Sequence, residues 1–451
     1  MATSICEMAD ISRARKSSID AAAWPAVAAV PRARGGALRT KIAEATFARA
    51  CAKAELALEG DDAALTVESA DMFERIAARG WTGLAESYMA GEWVTSTSEG
   101  LVDALQALIG AGYRPSPARV SAPKHGRTPL GVIGELPPDL VQHFDGGTAT
   151  HAQGHFGTGV PTTQRTRMKS HTPGAGRGNE PGHHFVDVTE IGAPLDAHRD
   201  DLADAQRRSI SMLLDAAAAG PSTHLLEMPC SGGAVAAEAL DRRCTLNVVT
   251  FDARVRKSLE EQLILSGAEG AARIDVLDSP AEIEALARQR RGVYDAVVSM
   301  QAFENMPHQE QIAYLVSAEQ MLAQGGKVVL QAIVRTNNYS RSAAAALAST
   351  AGYAWPRMNV VSCDDVARIV DKHTALRVTA VTTAPEHLAA SLRLQRMAFD
   401  AHLRDAAADG YDVVFRRMWT WQLALREALA RLEMLDLAQV TMVQRHRGGR
   451  R

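Results

Sequence analysis

Between residues 223 and 333 the chain alternates short apolar runs with longer amphipathic ones, and this alternation constrains the fold more than any other feature. The apolar runs fall at 223–228, 246–251, 273–277, 294–300 and 327–333. Helical patterns at 234–240, 253–266, 281–289 and 309–322 separate them. Continuous apolar runs fit strands buried on both faces, and a helix after each strand carries the chain back to start a parallel neighbour. The expected fold class is therefore α/β, a doubly wound parallel sheet. Ligands in such sheets bind outside the carboxyl ends of the strands. The candidates at those ends are Glu227, Asp252, Asp278, Gln301 and Glu304.

The first strand-to-helix turn reads Leu225-Leu226-Glu227-Met228-Pro229-Cys230-Ser231-Gly232-Gly233. Small residues before a helix let a ligand approach free backbone N–H groups. A carboxylate at the strand end can hold an ammonium group or sugar hydroxyls through charge-assisted hydrogen bonds. Glu227 reads either as that ligand or as a brace for the next helix. Pro229 and Ser231 stand where such turns usually carry glycine. Proline removes an N–H and fixes φ. Serine brings a Cβ to a position expected to need positive φ, at about 1–3 kcal/mol. No G-x-G-x-x-G occurs at this turn, which makes a nicotinamide oxidoreductase a poor reading.

The rest of the chain sets the domain organisation. Residues 1–40, rich in Ala, Arg and Ser, read as an irregular arm, with Trp24 docking on the adjoining domain. Residues 41–113 read as a small N-terminal domain. It has a helical stretch at 38–58, a strand near 63–67, a Gly- and aromatic-rich stretch at 80–93, and an amphipathic helix at 98–112 burying Leu101, Leu105 and Leu108. Residues 114–199 break the pattern. Eight of the 14 histidines lie between His125 and His198, nine glycines lie between Gly146 and Gly182, and apolar periodicity is lost. This segment reads as a flexible linker or a mobile lid, its histidines solvated rather than metal-bound. Residues 200–446 then carry the α/β domain and a C-terminal helical part.

A net charge of −3 gives no reason to expect a nucleic-acid partner. The five cysteines form no CxxC pair, which fits a reducing compartment and no structural metal. No apolar run reaches the roughly 20 residues of a membrane span. The first residues, with Glu7 and Asp10, lack the apolar core of a signal peptide. The expected location is cytoplasmic, with peripheral contact at the inner face of the membrane left open.

Four stretches carry a resemblance. Gly83-Leu84-Ala85-Glu86-Ser87-Tyr88-Met89-Ala90-Gly91-Glu92-Trp93 is one. Tyr294-Asp295-Ala296-Val297-Val298-Ser299 through Phe303-Glu304 is the second. Met321-Leu322-Ala323-Gln324-Gly325-Gly326-Lys327 through Gln331-Ala332-Ile333 is the third. Arg417-Met418-Trp419 through Gln439, read as a C-terminal helix, is the fourth. In these blocks the chain resembles the cyclopropane-fatty-acyl-phospholipid synthases, and in particular the actinobacterial mycolic acid cyclopropane synthases and fatty acid methyltransferases. The resemblance implies a Rossmann-like class I S-adenosylmethionine methyltransferase sheet with an N-terminal α+β domain. It implies S-adenosylmethionine as cofactor, an unsaturated acyl lipid or phospholipid as substrate, and a bicarbonate that serves as base.

Carried onto this sequence, the resemblance implies cofactor contacts from Glu227 and Gly233 and from Thr250, Phe251 and Asp252, the last in place of a lost glutamine. Asp278 reads either as an adenine-edge contact or as a helix cap. Glu304 is implied as the catalytic carboxylate beside the bicarbonate, with loop capping as the alternative. Gln331, where many members have histidine, is implied as a neutral donor to the same anion. Leu388 stands in place of a tyrosine and Arg426 near a cysteine. Of the family's N-terminal lid only His143-Phe144-Asp145 is recognisable. Trp419 and Trp421 read as core. Arg416, Arg417 and Arg426 read as solvated, with lipid headgroups as the alternative. Two functions remain open: a methyltransferase acting on an acyl double bond, or an inactive paralogue that binds a lipid or a partner enzyme.

Overall fold

The computed structural model describes residues 19–31, 36–58, 63–118, 130, 132–177, 180–198 and 201–445. It divides into two compact units. The first gathers Met1–Pro129, Asn337–Pro356 and Arg396–Met434, and the second gathers Leu130–Thr336, Arg357–Gln395 and Leu435–Arg451. The expected boundaries are therefore corrected. The helical part of 200–446 clusters with the small N-terminal domain, and the described residues 132–177 and 180–198 cluster with the sheet.

The first unit is mostly helical. Helix Ser98–Gly110 starts where the Thr97 hydroxyl accepts from Gly100 N at 3.0 Å, and it buries Leu101, Leu105 and Leu108 as its spacing demands. Helix Val413–Arg431 is capped by Asp412 and buried on nearly all sides, with Trp419 and Trp421 in the core. Two short strands, β1 (Thr66–Val67) and β2 (Trp93–Val94), pair antiparallel. Trp24 docks here: its indole N–H donates to Asp412 at 2.7 Å and its ring stacks on Tyr353. Residues 1–18 and 32–35 of the expected arm lie outside the described residues.

The sequence block 83–93 is structural. A Cβ at Gly83 would strike the carbonyl of Arg75, so glycine lets helices Asp71–Arg79 and Trp81–Ala90 touch. Arg75 grips Glu92 with Nε at 2.9 Å from Oε2, and donates to Val27 O at 2.6 Å and Ala26 O at 2.9 Å. Glu86 pairs with Arg79 and accepts from the Tyr353 hydroxyl at 2.6 Å. These charges are buried, so each needs its partner. Arg426, read as solvated, is instead buried with its guanidinium 5.2 Å from the Trp355 ring centroid.

The second unit is built on one nine-stranded sheet. Its strands are β3 (Pro161–Lys169), β4 (His183–Ile191), β5 (His224–Glu227), β6 (Thr245–Thr250), β7 (Ala272–Val276), β8 (Tyr294–Met300), β9 (Leu322–Arg335), β10 (Leu376–Thr383) and β11 (Leu435–Gln444), in the order β3-β4-β10-β11-β9-β8-β5-β6-β7. The five expected strands, β5 to β9, are parallel to one another. β11 runs antiparallel to β9 and β10, so the complete sheet is mixed.

Alternation within each run explains its continuous apolarity. Leu225, Val248, Ala296 and Val298 pack with Leu213, Val235 and Leu259 on one face. Leu226, Val249 and Val297 pack with Ile283, Leu315 and Ile369 on the other. The strand order reverses between β5 and β8, the position where sheets of this type bind ligands.

Two expectations fail here. The segment read as flexible holds the β3–β4 hairpin, whose β4 pairs parallel with β10, and residues 150–156 are buried. The helix read as reaching Gln439 ends at Arg431, and Gln439 lies in the middle of β11. Among the described residues no helix is long and apolar enough to cross a membrane.

Candidate functional site

β5 ends on Glu227, 1 % exposed, and the turn folds back on it. Glu227 Oε1 accepts from both Ser231 N and Ser231 Oγ at 2.9 Å. Ser231 thus braces the carboxylate. The positive φ expected there falls instead on Gly232, at 113°. A Cβ at Gly232 would run into the carbonyl of Ala149, so glycine is required. Thr150 forms an antiparallel bridge to Gly232, its hydroxyl donates to Ser231 O at 2.8 Å, and Gly233 N donates to Ala149 O at 3.1 Å. Asp145 makes this approach possible by accepting from Gly147 N at 2.8 Å and Ala149 N at 2.5 Å, which closes a tight turn. Next to the loop lies a cavity of about 560 Å³, lined by Ser231, Gly232, Gly233, Asp145, His151 and Arg254 among others, within the usual range for small-molecule sites.

A second buried carboxylate, missed in the sequence, comes from the segment before Asp145. Glu135 Oε2 accepts from Thr250 Oγ1 at 3.0 Å and Phe251 N at 2.9 Å, at the carboxyl end of β6. Ile133, two residues earlier, is buried in the core with Met228, Ala302 and Phe303. Burial pushes Glu135 up to about 8; the Phe251 and Thr250 donors oppose this, and neighbouring Asp252 and Glu227 add to it. Burial pushes Glu227 up to about 7 against the two Ser231 donors. Glu227 Oε2 and Glu135 Oε1 have no hydrogen-bond partner among the described residues. Two acids, each anchored by one oxygen and open at the other, fit a ligand that carries a positive charge and hydroxyls.

The other candidates divide. Thr250 and Phe251 belong to this site through Glu135. Gly233 lines the cavity. Asp252, expected to contact the cofactor, is committed elsewhere: it caps helix Ala253–Leu265 and grips Arg254 at 2.7 Å. Burial works against its charge, but the Arg254 bonds outweigh this and hold its carboxyl below the usual range. Asp278 is exposed beyond β7 and does not line the cavity.

Glu304 and Gln331 are both buried at β9. Glu304, 2 % exposed, accepts from Ile333 N at 3.1 Å. Gln331 sits in a buried cluster of amides. Its Oε1 accepts from Ser209 Oγ at 2.6 Å and Gln439 Nε2 at 2.7 Å, and its Nε2 donates to Gln153 O at 3.0 Å and Gln301 Oε1 at 3.4 Å. These contacts use all of its hydrogen-bonding capacity.

The same cluster holds residues 153–156, part of the segment expected to be a linker or lid. Gln153 N donates to Gln301 Oε1 at 3.1 Å, Gly154 N to Ser391 Oγ at 2.9 Å, and Phe156 N to His387 Nδ1 at 2.8 Å. Gln206 Nε2 donates to Ala152 O at 2.9 Å. An extended segment that cannot bond to itself is thus satisfied by side chains of two helices, Asp201–Ala216 and Pro385–Ala401, and by the end of β8. The only sequence signal was the burst of Gln, Ser and His at helical spacing in those partners.

A family model described as mycolic acid cyclopropane synthetase matches residues 192–440. The tuberculostearic acid methyltransferase UfaA1 of Mycobacterium tuberculosis (strain ATCC 25618 / H37Rv) is 28 % identical over 460 residues, which span 96 % of this chain and 98 % of that protein. Among solved structures, the cyclopropane synthase MmaA2 from Mycobacterium tuberculosis superposes with a TM-score of 0.52 at 18 % identity, over 68 % of this chain and 94 % of that one. The apo-form of the mycolic acid cyclopropane synthase CmaA1 gives 0.50 at 19 % identity, over 68 % of this chain and 100 % of that one. At such identities the structures speak for a shared fold.

Proposed function

The chain belongs to the mycolic acid cyclopropane synthetase family, a family of S-adenosylmethionine-dependent methyltransferases, and we propose that it transfers a one-carbon group to the double bond of an unsaturated fatty acyl chain carried by a lipid. The observation that carries this reading is the pair of half-satisfied buried carboxylates, Glu227 and Glu135; neither lines the loop cavity itself, but Ser231, which holds Glu227, and Leu136, next to Glu135, do. The similarity to a protein named for tuberculostearic acid supports an acyl substrate.

The residues present fit a cationic nucleoside cofactor. S-adenosylmethionine, when bound, supplies an electrophilic methyl on a sulfonium. Glu227 Oε2 and Glu135 Oε1 would accept from its ammonium and hydroxyl groups. Ser231 and the Thr250–Phe251 pair hold those carboxylates in place from behind. Burial of both acids keeps water out and strengthens each contact. Of Glu304 and Gln331, only Glu304 can take up a proton, so proton removal after methyl addition falls to its carboxylate. A lipid substrate also calls for contact with a membrane surface or a partner that delivers it.

One observation favours an inactive paralogue. Ser231 N is taken by Glu227 and Gly233 N by Ala149 O, so two loop amides are already engaged. Calorimetric titration with S-adenosylmethionine decides between the readings. Submillimolar binding that Glu227→Ala abolishes, with transfer of labelled methyl to unsaturated phospholipid, supports the enzyme. Absence of heat at millimolar ligand overturns it.

A further inference from the structure

We infer that the side-chain carbonyl of Gln301 permanently fills the place where Gln331 was expected to hold an anion, so that this site takes no bicarbonate. The inference deepens the proposed function and rests on its placing proton removal at Glu304.

Two N–H donors, Gln153 N at 3.1 Å and Gln331 Nε2 at 3.4 Å, converge on Gln301 Oε1. Converging donors on one oxygen are what an anion pocket offers. Here the chain supplies the oxygen itself. The amide orientations follow from fixed backbone groups. Ser209 O can only accept, so the Gln439 atom 2.9 Å away is its Nε2. That nitrogen also donates to Gln331, which makes the facing atom Gln331 Oε1 and turns Gln331 Nε2 toward Gln301. Gln153 N is a backbone donor, so the Gln301 atom it meets is the oxygen.

The backbone of Gln301 supports the same conclusion. Its φ is 47°, in the left-handed region that favours glycine, yet a glutamine is kept there. It is pinned by Gln301 N to Gln331 O and by Asn305 Nδ2 to Gln301 O, both at 2.9 Å.

The electrostatics disfavour a free anion. Among the described residues, no Lys or Arg is a hydrogen-bond partner of Gln153, Gln301, Gln331 or Gln439. His155, joined to the cluster through Ser209 at 2.9 Å, is held neutral by burial, which lowers it to about 3. The buried carboxylate of Glu304 lies three residues along the chain. The cation facing this cluster, Arg208, is turned to the His155 carbonyl at 2.9 Å rather than to the two donors, whereas the neutral Gln301 carboxamide meets both of them and leaves only its own buried Nε2 unpaired.

The test reads anion binding rather than turnover. Thermal unfolding is followed with bicarbonate against chloride at equal ionic strength, together with the ¹³C linewidth of labelled bicarbonate. The wild-type protein should show no saturable response. Gln301→Gly, which removes the side chain and suits the left-handed φ, should gain a saturable rise of about 1–2 °C at ten times the dissociation constant. Adding Gln331→Leu should abolish it. If Gln301→Gly does not fold, Gln301→Asn withdraws the carbonyl by one methylene and should show the same gain. Saturable stabilisation of the wild type by bicarbonate overturns the inference, and so does a lack of response in both vacated variants. A parallel S-adenosylmethionine titration reports on the proposed function separately.

Discussion

Two buried polar regions, one at the ends of β5 and β6 and the other on β9, β11 and the end of β8, are built on different plans. Around Glu227 and Glu135 each carboxylate has one oxygen anchored and one open. Around Gln331 every donor and acceptor of the central amide is matched within the chain. An open buried acid is costly until a cation arrives, which marks a binding site. A saturated neutral amide is stable as it stands, which marks a structural joint. The contrast lies in charge: the unpaired atoms around Gln331 are neutral, Gln153 Oε1 and Gln301 Nε2, whereas those of Glu227 and Glu135 belong to carboxyls that can ionise.

The largest effect should come from breaking the joint. Gln331→Leu strands Ser209, Gln439, Gln153 and Gln301 together, and should cost about 3–5 kcal/mol in denaturant unfolding. S-adenosylmethionine affinity of the remaining folded protein should change little. A loss below about 1 kcal/mol would show that the amides are not a cooperative unit.

Glu227→Gln should do the reverse. It should weaken S-adenosylmethionine on the order of 100-fold while leaving ligand-free stability at pH 8 unchanged or improved. If it instead destabilises as Gln331→Leu does, the contrast between the regions is wrong.

The pH dependence sharpens the same point. Both carboxyls are raised in the folded chain, to about 7 for Glu227 and about 8 for Glu135, above an unfolded value near 4.5. The folded state therefore binds more protons than the unfolded state between those limits. Stability from these groups is present below about pH 4.5 and is lost as pH rises through 7–8. The loss is on the order of 3 kcal/mol for Glu227. Cofactor affinity should rise over the same window. The double variant Glu135→Gln with Glu227→Gln should flatten both curves, and a profile that keeps its slope in that variant assigns it to other groups.

The smallest effect is expected for Ser231→Ala. It removes one of two donors to Glu227 and should cost about 1 kcal/mol of affinity through a less firmly held carboxylate. A gain in affinity would revive the reading of Ser231 as an obstacle.

Much of the core was legible because its signal is local. Leu225 and Leu226 face opposite layers, so a strand buried on both sides reads as an unbroken apolar run. Glu227 could be placed because it closes such a run. β3 could not: Pro161–Lys169 is polar and exposed along almost its whole length, so no period marks it as a strand. β11 passes for the end of a helix because it falls in the same sequence block as Val413–Arg431, only three residues beyond it. Glu135 was hidden in a stretch without periodicity, and nothing nearby in sequence shows that its partners are Thr250 and Phe251.

By itself the sequence determined the parallel sheet and the acid at its first turn, since apolar periodicity and strand ends are properties of neighbouring residues. The tertiary structure decided which polar atoms are left open. Whether Glu135 meets Thr250, or Gln331 meets Gln301, depends on segments 115 and 30 residues apart being brought within hydrogen-bond reach. No local pattern encodes that distance, because it is set by how the sheet orders its strands.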